Sequence, residues 1–261
     1  MPFALPYELA TGYPIHATYV SELAPDTPNL PITFHRVDIR ALNDRVGSNM
    51  VDGAWKLKWL SKKEREICGN LSAPKRRQDW LAGRYAAKWA VLDALAAREI
   101  DWDRVEILAA QGGPDHGRPL ARIDGQWAPV DVSISHSNPI AVACAVSHPR
   151  LRIGIDVEQI YEREASFEAV ALTAEERRRM ASLGAHLRSR EATKQWALKE
   201  AWLKATGQGL RAPLTTLDIF RRLENPTSFA MAAGGRAATL AGWGWTMQND
   251  MVYAWVALQT V

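Results

Sequence analysis

The sequence predicts an α+β fold built from two similar halves that pack as a pseudo-dimer. The first observation is a serine or threonine followed three residues later by glutamate, which occurs at Ser61 and again at Thr173. This pattern is the capping box that opens a helix. A longer helical segment follows each capping box, and short segments of alternating polarity read as strands around them. A cleft between two such halves is a natural place for a ligand.

The long helices of the two halves also align with each other at an offset of 116 residues. That offset matches three positions, which are Trp80 with Trp196, Arg84 with Glu200 and Lys88 with Lys204.

In the first half, Ile32–Ala41 is expected to be the first strand, and Ser61 opens a short helix. Pro74 suits the first position of a long helix that reaches about Arg98. Gln111–Pro119 is rich in glycine and proline and is expected to be a loop. The remaining predicted strands are Val105–Ala109, Val130–Ser135 and Ile140–Ser147.

In the second half, Arg152–Glu158 alternates like a strand and Thr173 opens a short helix. A long helix is expected from about Arg190 to Thr206, ending at Gly207. Three or four strands close the chain, the last being Met251–Gln259.

A chain of 261 residues is long enough for one large or two small domains. The first 31 residues hold six of the 14 prolines and are expected to be an irregular arm. We expect an N-terminal subdomain at 32–150 and a C-terminal subdomain at 151–261.

The composition excludes several classes of protein. The longest apolar run, Ile140–Val146, is far too short to span a membrane. The N-terminus has neither the basic nor the apolar region of a secretory signal. Only Cys68 and Cys144 are present, which argues against a disulfide framework and for a reducing compartment. We therefore expect a cytoplasmic protein.

The main electrostatic feature is the segment Ala54–Lys88, with ten basic residues and three acidic ones in a chain of net charge +3. Such a segment suits nucleic acid, a membrane surface, an acidic protein or a phosphorylated small molecule. For any single lysine, a solvated helix face is the simpler interpretation.

The pair Asp156 and Glu158 follows Gly154 on a predicted strand, so both carboxylates point to one face while Ile155 and Val157 point to the core. Two carboxylates this close repel unless a cation lies between them, and oxygen ligands suit Mg²⁺ shared with a phosphate. Gly154 would let a ligand approach the backbone. The alternative is a strand end with two solvated acids.

Trp196, Glu200 and Lys204 lie four residues apart and form one stripe on the predicted long helix. Glu200 would add a third carboxylate to a metal site, and Lys204 would face a phosphate. The alternative is an ordinary helix-stabilising Glu–Lys pair.

Arg118, between Gly117 and Pro119, offers a guanidinium fork on a rigid turn, which suits a phosphate. Ser135 and His136 supply a hydroxyl and an imidazole at a strand end. A Ser/His hydrolase is disfavoured, because neighbours on a strand point apart and no nucleophile elbow is present. The sequence has no phosphate-binding loop or dinucleotide fingerprint, and its cysteines lack metal-binding spacing.

Taken together, the order of these motifs resembles the surfactin-type (Sfp-type) 4′-phosphopantetheinyl transferases. The series is Gly-Arg-Pro, Ser-x-Ser-His-Ser, Gly-Ile-Asp-x-Glu, and then the stretch WALKEAWLKATGQGL from Trp196 to Leu210. The resemblance extends from about Leu57 to Leu258.

The resemblance implies a two-half fold and the transfer of phosphopantetheine from coenzyme A (CoA) to a serine of an apo carrier protein, with release of 3′,5′-ADP. It implies Mg²⁺, with Mn²⁺ as an alternative, and Asp156, Glu158 and Glu200 as its ligands. Glu200 and Lys204 are then the catalytic pair. The implied CoA contacts are Arg118, Ser135, His136 and Lys204, together with first-half basic residues.

At two lysine positions of the family this chain aligns Glu64 and Ile67, so other basic residues are expected to replace them. The candidates are Lys75, Arg76, Arg77 and Arg84. The Lys-Glu-Ala form is similar to enzymes that serve polyketide, nonribosomal-peptide and fatty-acid carriers. A monomer is expected, with no nucleic-acid or membrane partner.

Two alternatives stay open from the sequence. One is a nucleic-acid-binding protein or metal-dependent nuclease that uses the basic segment and the three acids. The other is a non-catalytic module that binds CoA or a carrier protein.

Overall fold

The architecture is that of a computed structural model, which describes residues 18–19, 30–50, 57–209, 213–224, 229–232 and 236–261. The strands are β1 Thr18–Tyr19, β2 Ile32–Asp38, β3 Val105–Ala109, β4 Pro119–Ile123, β5 Gln126–Ser137, β6 Ile140–Val146, β7 Leu151–Gln159, β8 Phe229–Ala232, β9 Arg236–Gln248 and β10 Met251–Thr260. The helices are α1 Ile39–Met50, α2 Lys62–Gly69, α3 Pro74–Ala94, α4 Ala165–Ala171, α5 Ala174–Met180, α6 Ala185–Thr206 and α7 Ile219–Leu223.

The strands form two antiparallel sheets that use different parts of the chain. The first has six strands in the order β1-β2-β6-β5-β4-β3, and the second has four in the order β7-β10-β9-β8. The sheets therefore divide at the turn between β6 and β7.

The two sheets pack face to face, and a long helix covers the outer face of each. Alternation along the strands produces these layers. On β6, Ala143 packs in the cluster with α3 while Cys144 packs between the sheets. On β10, Trp255 packs between the sheets while Val256 packs in the cluster with α6. The order of layers is α3, first sheet, second sheet, α6. The predicted mixed α+β fold with two similar halves is confirmed.

Both predicted capping boxes are present. The Ser61 hydroxyl accepts from the Glu64 backbone, and the Thr173 hydroxyl accepts from the Glu176 backbone. The long helices differ from prediction only at their ends. α3 stops at Ala94, short of Arg98, and α6 begins at Ala185 rather than Arg190.

The helix α1 replaces the end of the predicted first strand. Asp38 ends β2, and its carboxylate accepts a hydrogen bond from the Ala41 backbone at 2.9 Å. That local bond turns the chain into α1, so the prediction of a strand to Ala41 is wrong. The strand β4 and the helix α4 have no counterpart in the prediction. Three or four closing strands were predicted, and the described residues form three, β8, β9 and β10.

The halves are related at a different offset from the one that the tryptophans indicate. Lys88 of α3 pairs with Glu64 in the first half, and Lys199 of α6 pairs with Glu176 in the second. The equivalent lysines are therefore 111 residues apart (199 − 88), and the predicted offset of 116 is wrong. Lys204 has a different environment, described below.

Most of the predicted N-terminal arm, 1–17 and 20–29, lies outside the described residues. Thr18–Tyr19 pairs with β2. The division of the chain into subdomains stays a prediction, because the sheets share one apolar core. No helix in the described ranges has the length and apolar character needed to cross a bilayer.

Candidate active site

The helix α6 crosses β7 at Gly154, and this contact brings the site residues of both elements together. A Cβ atom on Gly154 would lie 2.0 Å from the Ala201 carbonyl oxygen and 2.6 Å from the Ala205 nitrogen. Gly154 is thus needed for the close approach of the helix, and the prediction that it admits a ligand is corrected. Asp156 and Glu158 lie on the same face of β7 as Gly154, as predicted.

Asp156 is the centre of the site and is only 3% exposed. Its Oδ1 atom accepts from Lys204 Nζ at 2.7 Å and from the Ser135 hydroxyl at 2.7 Å. Lys204 also donates to the Ile155 carbonyl oxygen at 3.0 Å. The Oδ2 atom of Asp156 is buried and has no hydrogen-bond partner among the described residues.

Glu158 is held by two donors. Trp196 Nε1 donates to its Oε1 atom at 2.7 Å, and Arg163 donates to Oε2 at 3.2 Å. The Arg163 guanidinium lies over the Phe167 ring at 4.1 Å and over the Tyr161 ring at 4.5 Å. Burial and the nearby Asp156 charge raise the pKa of Glu158.

Glu200 lies one helical turn before Lys204 on α6. Burial, followed by repulsion from Asp156, raises its pKa to about 7, and Lys204 opposes this shift. Its Oε1 atom is buried and, like Asp156 Oδ2, has no hydrogen-bond partner in the described part of the chain.

The three predicted metal ligands lie near one another on β7 and α6, and their charges interact. Across the described ranges, no group of three or more His, Cys, Asp or Glu side chains is arranged to hold a metal ion. Lys204 and Ser135 occupy one oxygen of Asp156, and both oxygens of Glu158 accept hydrogen bonds. The two unpartnered oxygens, Asp156 Oδ2 and Glu200 Oε1, nevertheless fit a cation, because a buried carboxylate oxygen needs a donor or a metal.

A cleft of about 520 Å³ opens beside this centre, between α3 and β5. Its cationic lining includes Lys75, Arg76 and Arg84, and His136 closes one wall. Arg84 stacks on the Trp80 ring at 4.8 Å, and burial lowers its pKa to about 10.

His136 is 48% exposed, with Nδ1 3.9 Å from Asp79 Oδ2, and burial lowers its pKa. Asp79 is also bound by Lys75 at 2.8 Å. His136 and Lys75 thus share one carboxylate at the cleft wall.

Arg77 does not line this cleft, unlike its neighbour Arg76. Its Nε and Nη2 atoms donate to the Leu71 carbonyl oxygen at 3.0 and 2.6 Å. The guanidinium therefore binds the loop between α2 and α3 to the start of α3.

Arg118 is 9% exposed and joins the two halves. Its guanidinium forms an ion pair with Asp131 and donates to the carbonyl oxygens of Ile153 and Lys204. A pocket of about 300 Å³ lies against it, and Lys204 and Gly207 also line this pocket. The sequence patterns did not predict these contacts of Arg118 between the halves, nor the ion pair between Arg163 and Glu158.

Carboxylates and a lysine beside a cationic cleft are the groups of an enzyme that acts on a phosphorylated substrate. The profile of the 4′-phosphopantetheinyl transferase superfamily matches residues 152–255. A holo-[acyl-carrier-protein] synthase of Geobacillus sp. is 34% identical over 87 residues, which are 32% of this chain and 69% of that protein. One from Halalkalibacterium halodurans is 35% identical over 89 residues, or 33% and 70% of the two chains. The chain belongs to the 4′-phosphopantetheinyl transferase superfamily.

Solved structures of holo-acyl-carrier-protein synthases are also similar. That of Bacillus anthracis, in complex with CoA (3′,5′-ADP), has a TM-score of 0.35 and 24% identity, covering 44% of this chain and 91% of that one. That of Helicobacter pylori, in complex with coenzyme A, has a TM-score of 0.35 and 21% identity, covering 44% and 97%.

Proposed function

We propose that this protein transfers the 4′-phosphopantetheine group of CoA to a serine of an apo acyl or peptidyl carrier protein and releases 3′,5′-ADP. Membership of the superfamily supports this reaction. This reaction is assigned to the site because the Asp156–Lys204 pair lies beside the cationic cleft, with two carboxylate oxygens that have no hydrogen-bond partner among the described residues.

We assign the protein to the surfactin type within the superfamily. The stretch matched by the Geobacillus relative is 32% of this chain but 69% of that protein, so the relative is just under half as long. This chain contains two halves with repeated capping boxes and buried lysines. A single chain that supplies both halves is consistent with a monomer.

CoA binding is proposed for the cleft between α3 and β5. Arg76, Arg84 and His136 would contact its phosphates, since guanidinium groups form strong charge-assisted bonds to phosphate. Lys204 would contact the pyrophosphate beside Asp156. Ser135, Arg77 and Arg118 were also expected to contact CoA, but their polar atoms already have partners.

Mg²⁺, with Mn²⁺ as an alternative, is proposed to bind Asp156 and Glu200 through their unpartnered oxygens, with Glu158 as the third carboxylate. When bound, the cation would neutralise charge on the pyrophosphate. Without it, burial and then the charges of Asp156 and Glu158 raise the pKa of Glu200 to about 7.

In the proposed step, the carrier serine oxygen attacks the phosphorus that bears pantetheine. A serine–phosphate ester bond forms, the phosphoanhydride bond to 3′,5′-ADP breaks, and the serine proton passes to Glu200. Lys204 offsets the negative charge that develops on the departing phosphate. Most of the rate enhancement would come from positioning and charge neutralisation.

The carrier is proposed to belong to fatty-acid, polyketide or nonribosomal-peptide synthesis. Exposed basic residues of α2, such as Lys62 and Lys63, suit an acidic partner. Nucleic acid and membranes are not proposed as partners, and the protein is placed in the cytoplasm.

The test is mass spectrometry of an apo carrier protein incubated with this protein, CoA and Mg²⁺, with an EDTA control. A mass gain of one phosphopantetheine group that EDTA abolishes is the expected result. A panel of acyl and peptidyl carriers that all stay in the apo form would contradict the proposal.

A further inference from the structure

The outer edge of β7 is closed by side chains rather than by another strand. β7 is the edge strand of the second sheet, and an unpaired edge leaves backbone N–H groups without partners. Ile153 and Ile155 on this edge are each 1% exposed, and a buried backbone donor without a partner costs free energy. Acceptors from the first half are therefore expected to bind these backbone N–H groups.

Alternate side chains of β5 supply these partners. Asp131 Oδ2 accepts from the Ile153 nitrogen at 2.7 Å, and Ser133 Oγ accepts from the Ile155 nitrogen at 3.1 Å. We call Asp131, Ser133 and Ser137 the β5 ladder.

Ser137 Oγ accepts from the Gln159 nitrogen at 3.2 Å. Each bond of the β5 ladder joins residues 22 apart in sequence, so two strands from different halves run in register along it.

Ser135 is the exception within this series. In register it faces Val157, but its hydroxyl donates instead to Asp156 Oδ1 at 2.7 Å, across 21 residues. Ser135 is 8% exposed and Asp156 is 3% exposed, so the bond is shielded from water. The bond to Oδ1 leaves Oδ2 as the carboxylate oxygen without a hydrogen-bond partner in the described ranges.

We propose that Ser135 is a positioning residue that orients the Asp156 carboxylate, while the β5 ladder holds β7 in register with the first half. The inference rests on the proposed function, because it takes Asp156 to be a working carboxylate of that site. It replaces the expectation that Ser135 contacts CoA. Removing a hydrogen-bond partner that orients a ligand side chain typically lowers metal affinity or activity by about 10–100-fold.

The experiment compares Ser135→Ala with Ser137→Ala, the same change on the same strand at a serine whose hydroxyl accepts an exposed hydrogen bond from the Gln159 backbone. Ser135→Ala is expected to lower kcat at least about tenfold with the KM for CoA within about twofold. Ser137→Ala is expected to keep the wild-type kcat. Ser135→Thr, which keeps the hydroxyl, is expected to recover most of the lost kcat.

A second measurement is independent of transfer. Free Mn²⁺ is titrated by electron paramagnetic resonance against the wild type and Ser135→Ala. The substitution is expected to weaken Mn²⁺ binding about tenfold. This arm still tests the positioning role if no carrier is found, which separates it from a failure of the proposed function.

A rise in the KM for CoA with an unchanged kcat would make Ser135 a substrate contact and overturn the inference. Unchanged kcat and Mn²⁺ affinity would overturn it as well. If Ser135→Ala does not fold, Ser135→Cys takes its place, because a thiol is close in size to the hydroxyl but is only a weak donor. Folded Ser135→Cys with weakened Mn²⁺ binding supports the inference, and wild-type Mn²⁺ affinity overturns it.

Discussion

Lys88 and Lys199 occupy equivalent positions in the two halves and are both 0% exposed. Lys88 Nζ lies 2.7 Å from Glu64 Oε2, and Lys199 Nζ lies 2.6 Å from Glu176 Oε2. Burial lowers the pKa of each lysine, and its glutamate opposes the shift.

The surroundings of the two glutamates match as well. Glu64 Oε1 accepts from the Ile107 nitrogen at 2.9 Å, and Glu176 Oε1 accepts from the Ile219 nitrogen at 3.1 Å, each 43 residues further along the chain. One polar core motif has therefore been built twice.

Removing one lysine from this motif is expected to destabilise the protein strongly. Lys199→Met leaves the Glu176 carboxylate buried without its cation, which costs about 3–5 kcal/mol. Arg178→Met is the control, because Arg178 is 70% exposed and pairs with Glu175, which is 44% exposed, on the surface of α5. That change is expected to cost less than about 1 kcal/mol. Urea unfolding measures both, and equal losses would contradict the structural role of Lys199.

Glu200→Gln is expected to stabilise the protein at high pH in the presence of EDTA. The pKa of Glu200 is raised to about 7 in the folded protein, so the neutral carboxyl favours folding at low pH. That contribution is complete below about pH 4.5, the ordinary pKa, and is lost as the pH rises through 7. Glutamine is neutral at every pH, so the variant keeps this contribution to stability at high pH.

The melting temperature of Glu200→Gln should exceed that of the wild type by about 2–4 °C at pH 8, with the difference closing towards pH 5. Saturating Mg²⁺ should abolish the gain. Glu66→Gln, at an exposed acid of α2, is the control and should give no gain. A gain that does not depend on pH would contradict the raised pKa of Glu200, which burial and the charges of Asp156 and Glu158 produce.

Lys204→Ala is expected to lower kcat at least about 100-fold, because the ammonium that contacts Asp156 and the leaving phosphate is lost. Lys194→Ala is the matched control on α6, since Lys194 lies over the Phe220 and Trp245 rings away from the site. Steady-state transfer at saturating CoA measures kcat, and circular dichroism checks folding. A decrease in kcat of less than tenfold would contradict a catalytic role for Lys204.

Arg118→Ala is expected mainly to lower the free energy of unfolding. The substitution leaves Asp131 without its ion-pair partner and removes one donor from each of two carbonyl oxygens, those of Ile153 and Lys204. The expected loss is about 3 kcal/mol or more, equivalent to roughly 6–12 °C in melting temperature. Arg118→Lys should be intermediate, because lysine cannot reproduce the fork. A stable Arg118→Ala protein with a raised KM for CoA would instead make Arg118 a substrate contact.

Arg84→Ala is expected to raise the KM for CoA about tenfold, the cost of one charge-assisted hydrogen bond. Arg77→Ala should change the KM less, since its guanidinium holds the Leu71 carbonyl oxygen outside the cleft. Equal effects of the two substitutions would contradict the position of the CoA cleft.

The sequence by itself determined the features that depend on neighbouring residues. The Ser61 and Thr173 capping boxes form within one helical turn, so their patterns predicted both short helices. The two-residue period of β7 placed Asp156 and Glu158 on one face. Chain order was enough for these because the interacting groups are at most a few residues apart.

The tertiary structure decided everything that joins distant segments. Gly154 meets α6 rather than a ligand, Arg118 turns inward to fasten the halves, and Ser135 leaves the β5 ladder to bond Asp156. These partners lie 21 to 86 residues away in sequence. Burial is the physical reason, because a buried polar group must form a hydrogen bond with a group that packing places beside it. A local sequence pattern does not contain that partner and so cannot predict it.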